Sequence, residues 1–128
     1  MSRVLWKSEP DAHDYPAAAS YLSLVTDPDT VELLVDRLKA SSIVHYKAKD
    51  ILRASRLEIL PADNVHVAKD IAKVKSGKAL SPVLLVRGDL LHGVPLQVAD
   101  GYHRVCASYR LDEDTDIPCR IVGLTEPN

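Results

Sequence analysis

The spacing of the apolar residues changes from a helical to a strand-like period along the chain, and this change restricts the fold more than any other sequence feature. Residues 28–40 follow the helix-start pair Asp27-Pro28, and apolar side chains recur there at helical spacing: Val31, Leu34, Val35 and Leu38. Residues 83–86, in contrast, form a continuous apolar run of strand length. A chain that holds both patterns must cover a β-sheet with helices, so the predicted fold class is α+β.

Weaker signals complete the predicted order of elements. Helices are predicted at residues 17–24 and 47–55, from the capping Asn64 to the stop at Ser76-Gly77, and at residues 102–111. Residues 96–99 and 117–122 are predicted strands, and residues 43–46 are an extended stretch. The order predicts a small mixed β-sheet with packed helices, preceded by a helical N-terminal layer. A chain of 128 residues fits a single domain, with a helical part at 1–56 and a core at 57–124.

Composition argues against several classes of function. Hydrophobic residues make up 46% of the chain, and the net charge of −2 argues against a protein that coats duplex DNA by bulk positive charge. The sequence has neither an apolar run of membrane-spanning length nor the apolar stretch of a signal peptide, so we expect a cytoplasmic protein without membrane contact. The two cysteines, Cys106 and Cys119, are expected to be reduced and buried.

Positive charge is concentrated in the middle of the chain. Residues 45–87 carry nine basic and four acidic side chains, whereas the segments on either side are acidic. Folding can gather these cations around one anion, although solvated helix faces explain them equally well. Lys75 and Lys78 flank the turn before the first apolar strand and are candidate contacts for outer phosphates. Lys47 and Lys49 precede a predicted helix and are either further phosphate contacts or solvated helix residues.

The strongest functional signal is a strand end, a glycine break and a helix start at Asp100-Gly101-Tyr102-His103-Arg104. A helix N-terminus leaves backbone N–H groups unpaired and carries partial positive charge, which suits a phosphate. Gly101 permits close approach of the backbone, Arg104 offers a planar fork, and a bound dianion would raise the pKa of His103. Asp100 would hold Mg²⁺ or act as a base. In the plainer interpretation, Gly101 and Asp100 only form a turn and Arg104 pairs with the acidic loop that follows.

Residues 101–107, Gly-Tyr-His-Arg-Val-Cys-Ala, resemble the G-x-[HR]-R-x-x-A box of the ParB and sulfiredoxin superfamily. The helix that ends in a glycine before the first apolar strand, and the closing strand after the box helix, are similar to the order of elements in that superfamily. The resemblance covers residues 57–122, and residues 1–56 have no counterpart in the family core. It implies a nucleotide site at Gly101, Tyr102, His103 and Arg104 for ATP, CTP or a diphosphate, with or without Mg²⁺.

Departures from the family pattern narrow the implied function. Sulfiredoxins place their catalytic cysteine directly before the His-Arg pair, where this chain has Tyr102, and a phenol cannot supply thiolate chemistry. ParB partition proteins carry a helix-turn-helix domain after the nucleotide core, whereas this chain ends at Asn128, so we do not expect it to bind DNA alone. Cys106 is interpreted as an inert core residue or, alternatively, as a displaced nucleophile or a metal ligand together with Cys119.

Three functions remain open on the sequence. The first is a nucleotide-binding domain, with phosphotransferase or nucleotidase turnover as an extension. The second is a noncatalytic regulatory or protein-interaction module, in which the anion site senses a nucleotide or is vestigial. The third is a nuclease. This function is the weakest of the three, because no array of metal-binding carboxylates and histidines accompanies the box. The acidic residues in 112–116 are interpreted as a solvated loop, and no metal site is predicted.

Overall fold

The computed structural model describes residues 3–125, which form one four-stranded sheet with helices on both faces. The helices are α1 (Asp14–Leu22), α2 (Pro28–Ala40), α3 (Ala48–Ser55), α4 (Val65–Lys75) and α5 (Tyr102–Leu111). The strands are β1 (Val44–Lys47), β2 (Val83–Val86), β3 (Gln97–Asp100) and β4 (Asp116–Val122). The predicted α+β class, with a small mixed sheet and a helical N-terminal layer, is confirmed.

The sheet has the strand order β1-β4-β2-β3. Strands β2 and β4 are parallel, and the other two pairs are antiparallel. Val83 and Leu85 pack into the core cluster beneath α3, α4 and α5, whereas Leu84 and Val86 pack into the cluster beneath α1 and α2. The continuous apolar run in β2 therefore has a physical reason, because a strand covered on both faces needs an apolar residue at every position.

The N-terminal layer consists of α1 and α2, which cover one face of the sheet. The apolar side chains that they bury against β2, β3 and β4 are Ala18, Leu22, Leu34 and Leu38. Two arginines fix α2 to β4 and the residues after it. The Arg37 Nη1 donates to the Gly123 carbonyl at 2.6 Å, and the Arg120 Nη1 donates to the carbonyls of Lys39, at 3.1 Å, and Ser41. The Arg120 bonds satisfy carbonyls that the end of α2 leaves without partners.

The structure places residues 43–56 in a role that the sequence did not predict. The extended stretch becomes the edge strand β1, whose Val44 pairs with Cys119 and whose Tyr46 pairs with Ile117. The helix that follows, α3, packs Ile51 and Leu52 into the same cluster as α4 and α5. The first 56 residues thus contribute to both sides of the sheet.

Pro118 lies inside β4, although a proline is unfavourable in the centre of a sheet. Its partner on one side is His45 of β1, and the pairing of β4 with β2 begins only at Cys119. Pro118 therefore has a neighbouring strand on one side only, which is the situation of an edge residue.

The N-terminal arm lies alongside the segment that leads into β2. The Leu80 N–H donates to the Leu5 carbonyl, and the Lys7 N–H donates to the Leu80 carbonyl, both at 2.8 Å. Trp6 packs against the core cluster and so attaches the arm to the core. Within residues 3–125, every helix is too short or too polar to cross a membrane.

Candidate anion-binding site

A cavity of about 300 Å³ opens where β3 ends and α5 begins. Asp100, Gly101, Tyr102, His103 and Arg104 all line it, so the structure brings the predicted box residues together around one opening. The opposite walls come from the N-terminal arm, from α4 and from residues 79–81. The volume lies at the lower end of the range typical of small-molecule sites.

Gly101 is the residue before α5 and has a φ of 110°, in the left-handed region that favours glycine. A Cβ at this position would lie 2.9 Å from both the Val83 Cβ and the Arg104 Nη2, and closer still to the Val83 Cγ1. No side chain caps the helix, and no residue within 3–125 accepts a hydrogen bond from the backbone N–H groups of residues 102–104. These three donors and the positive end of the helix dipole are therefore available at the cavity.

The Arg104 guanidinium contacts carboxylates inside the cavity wall. Its Nη2 donates to the Asp100 Oδ2 at 3.0 Å and to the Pro82 carbonyl at 3.3 Å, and it lies 3.9 Å from the Asp14 Oδ2. The side chain is only 16% exposed, and its buried Nε has no hydrogen-bond partner in the described part of the chain. The acidic partner is thus Asp100, four residues before Arg104, and not the acidic loop after α5. A phosphate that approaches Arg104 has to compete with Asp100.

Two acidic side chains approach each other beneath Arg104. Asp14 is buried in the first turn of α1 and accepts hydrogen bonds from the Ser81 Oγ at 2.8 Å and from the Asp11 N–H at 3.0 Å. Desolvation raises the pKa of Asp100, and its contact with Asp14 raises it further, although the positive charge of Arg104 acts in the opposite direction. Asp100 therefore takes up a proton more readily than an ordinary aspartate, and its hold on Arg104 weakens as the pH falls.

Two histidines lie side by side in the cavity wall. The rings of His66, on α4, and His103, on α5, have centroids 4.7 Å apart and are tilted by 45°. Burial lowers the pKa of His103, and the neighbouring His66 and Arg104 lower it further, although the charge of Asp70 acts in the opposite direction. The imidazole of His103 is therefore mainly neutral at pH 7, and a bound dianion would have to draw a proton onto it.

Sequence reasoning did not single out three lysines that line the cavity, Lys7, Lys69 and Lys73. Two of them have an acidic neighbour: Lys7 pairs with Asp11 at 2.8 Å, and the Lys73 Nζ lies 3.9 Å from Asp70. A signal was present, since positions 66, 69, 70 and 73 share one side of a helix. The sequence did not indicate that this side of α4 faces the start of α5.

The other predicted phosphate contacts lie outside this cavity. Lys47 and Lys49 are 3.6 Å and 2.7 Å from Asp114, in the loop between α5 and β4. Lys75 and Lys78 lie at the end of α4 and after the following turn, and neither lines the cavity. The structure therefore does not bring these four lysines together with the box residues.

Among the described residues, one group has the donors of a metal site. Ligand atoms of Asp11, His13 and Asp14 lie within 4.8 Å of one another at the edge of the cavity. Both carboxylates already have protein partners, Lys7 for Asp11 and Ser81 for Asp14. We therefore assign no metal to this group.

Both cysteines are free and buried, as predicted. Burial raises the pKa of the Cys119 thiol to about 12 and also raises the pKa of Cys106. The Cys106 Sγ contacts the Glu58 carbonyl at 3.8 Å, and the Cys119 Sγ contacts the Ile117 carbonyl at 3.0 Å. These contacts and the raised pKa values favour the interpretation of both thiols as inert core residues.

Comparisons of the chain with known protein families, with curated proteins and with solved structures found no match. The likeness to the ParB and sulfiredoxin box thus rests on residues 101–107 and on the order of the surrounding elements.

Proposed function

We propose that this protein binds a nucleoside diphosphate or triphosphate, such as ATP or CTP, through its phosphates at the start of α5. The observation that carries the proposal is the composition of the cavity. Residues 102–104, whose backbone N–H groups have no partner in the described part of the chain, line one wall, and Lys69 and Lys73 line another. Phosphate oxygens accept hydrogen bonds from such N–H groups and are stabilised by nearby ammonium groups.

The local charge supports an anionic ligand. The cationic groups in the lining are Lys7, Lys69, Lys73 and Arg104, and the acidic groups are Asp11, Asp70 and Asp100. The cations exceed the carboxylates by one, and the N-terminal end of α5 adds about half a positive charge. His103, which also lines the cavity, can add a further positive charge by taking up a proton when an anion binds.

Within this proposal, four of the residues at the start of α5 have separate roles. Gly101 places the backbone of α5 against the ligand, and His103 becomes a charged donor once a phosphate is bound. Arg104 leaves its ion pair with Asp100 and binds the outer phosphate oxygens instead. Asp100, released from Arg104, then lies beside the phosphate and would accept a proton if the nucleotide is turned over.

The proposal is tested by calorimetric titration with ATP, CTP, their diphosphates and pyrophosphate, each with and without Mg²⁺. The cavity variant combines Lys69→Gln with Lys73→Gln. The matched control combines Lys75→Gln with Lys78→Gln, which removes the same charge at positions outside the cavity. We expect at least one of these ligands to bind and the cavity variant to weaken its affinity by about tenfold or more, as is usual for charged contacts to phosphate.

Two results would contradict the proposal. In one, none of the ligands binds the folded protein. In the other, the two double variants weaken binding equally, so that only the total charge matters. Adenosine and cytidine serve as uncharged comparisons and should bind far more weakly than their phosphorylated forms.

A further inference from the structure

A second cavity, of about 480 Å³, lies at the other end of β2 and β3 from the anion-binding site. Its lining comes from α3, from the loop of residues 87–96 and from β1, β2 and β4. The first site is lined mainly by charged and polar side chains, whereas the base of this cavity is apolar. Leu85 and Ile51 are buried in this base, and Leu96 and Ile121 are partly buried.

Exposed apolar side chains surround the mouth of the same cavity. Leu90 is 95% exposed, Val94 is 47% exposed and Tyr46 is 39% exposed, and all three line the opening. Exposed apolar residues that occur singly are common, but several around one depression indicate a surface that a ligand covers. The body of the ligand is therefore apolar.

The rim of the cavity carries more positive than negative side chains. Its guanidinium groups belong to Arg53, Arg56 and Arg87, and the one carboxylate among its described lining residues is Asp50, which pairs with Arg53 at 3.2 Å. Arg56 is exposed, and no hydrogen bond or ion pair joins its guanidinium to another residue within 3–125. This basic rim stands out on a chain whose net charge is −2. The ligand therefore carries a negative group at one end.

The walls of the cavity are held in place by backbone hydrogen bonds. The Leu96 N–H donates to the Ala54 carbonyl at 3.1 Å and joins the loop to α3. Asp89 and Val94 exchange two backbone bonds of 2.9 Å, which fold the loop onto itself. A bounded depression of this volume fits a small molecule better than the flat surface of a protein partner.

We propose that this cavity binds a small amphipathic carboxylate, with its hydrocarbon body on Leu90, Leu96 and Ile121 and its carboxylate against Arg56. A guanidinium and a carboxylate match in geometry and charge, and the apolar base excludes water from the body of the ligand. A phosphorylated nucleotide is not the expected ligand, because its polar sugar and several charges would face apolar side chains.

Octanoate is the probe, and octan-1-ol is its uncharged match. Binding is followed by two-dimensional ¹H–¹⁵N NMR at octanoate concentrations far below those that form micelles. We expect octanoate to shift the amide signals of residues 46–56 and 85–96, and octan-1-ol to bind about fivefold more weakly or worse, which is the effect expected of one exposed charged contact. Arg56→Gln should weaken octanoate binding to the level of the alcohol and leave alcohol binding unchanged.

Two further variants complete the test. Leu90→Ser should weaken the binding of both probes, and the protein should still fold because Leu90 is exposed. Lys78→Gln removes a positive charge outside this cavity and should not weaken the binding of either probe. The spectra of the unbound variants report whether each is folded.

Several results would overturn the proposal. They are equal affinity for octanoate and octan-1-ol, no loss of octanoate binding in Arg56→Gln, or no shifts near the cavity. Sedimentation with phosphatidylserine vesicles, while octanoate leaves these amides unmoved, would instead assign the exposed leucines and arginines to a membrane surface. Octanoate shifts confined to residues 101–104 would assign the carboxylate to the anion-binding site.

Discussion

Replacing Asp100 with asparagine should strengthen anion binding at the start of α5. In the wild-type protein the Asp100 carboxylate occupies the Arg104 guanidinium at 3.0 Å, and its negative charge faces the same cavity as the proposed phosphates. The substitution Asp100→Asn would keep the shape of the side chain but remove its charge. Arg104 would then be held mainly by the Pro82 carbonyl at 3.3 Å and by Asp14 at 3.9 Å.

The size of this effect follows from the charges. An anion that reaches Arg104 would lie about 5 Å from the Asp100 carboxylate, where two unit charges repel by ~3 kcal/mol at an effective dielectric constant of 20 and by ~0.8 kcal/mol in bulk water. Asp100 is 19% exposed, so the value lies between these limits. Both limits double for a doubly charged anion such as sulfate. Because Asp14 continues to attract Arg104, we expect a gain near the lower doubled limit, about 1.7 kcal/mol, which is roughly a twentyfold increase in affinity.

The assay is calorimetric titration with sulfate at pH 7.5, since sulfate keeps its double charge throughout the useful pH range. Asp50→Asn makes the same charge change at the distant second cavity and should not alter sulfate affinity. Asp70→Asn removes a charge from the same cavity without releasing Arg104 and should give a smaller gain. Unchanged or weaker sulfate binding by a folded Asp100→Asn protein would refute the assigned role of this ion pair.

Three further predictions concern the fold and its dependence on pH. Gly101→Ala should lower the free energy of unfolding in urea by about 2 kcal/mol, more than Gly77→Ala, because position 77 has a positive φ but open space around it. Sulfate affinity should rise from pH 7.5 to pH 5.5 as Asp100 and His103 take up protons on binding, and His103→Gln should reduce this rise. Stability should fall between pH 9 and pH 12, because the unfolded Cys119 thiol ionises near its ordinary pKa of 9.0 while the folded thiol stays protonated up to about 12. Cys119→Ala should flatten that decline in urea titrations, and an equally steep decline in this variant would show that other groups cause it.

The elements that the sequence predicted are those with a local signal. The helical spacing of Leu34 and Leu38 predicts which face of α2 is buried, and the apolar run predicts that β2 is buried on both faces. The structure buries these faces. Strand β1 was predicted only as an extended stretch, because all four of its residues are exposed and its pairing with β4 joins residues about 70 positions apart. Such pairing depends on tertiary context, which local patterns do not contain.

The candidate site shows the same division. The glycine break and the helix start at residues 100–104 were predicted from neighbouring residues alone, and all five line the cavity. The approach of Asp14 to Arg104 joins positions 90 residues apart and had no local signal. Lys69 and Lys73 line the cavity because of the way α4 packs against α5. The spacing of residues within α4 does not predict that packing.

The attachment of the N-terminal arm at residue 80 has a consequence for the anion-binding site. Two backbone hydrogen bonds and the packing of Trp6 hold this short bridge, so detaching the arm costs less free energy than unfolding the sheet. Detachment would carry Lys7 and Asp11 away from the opening and widen it on one side. The way the arm is attached at residue 80 therefore influences how wide the entrance to the anion-binding site is.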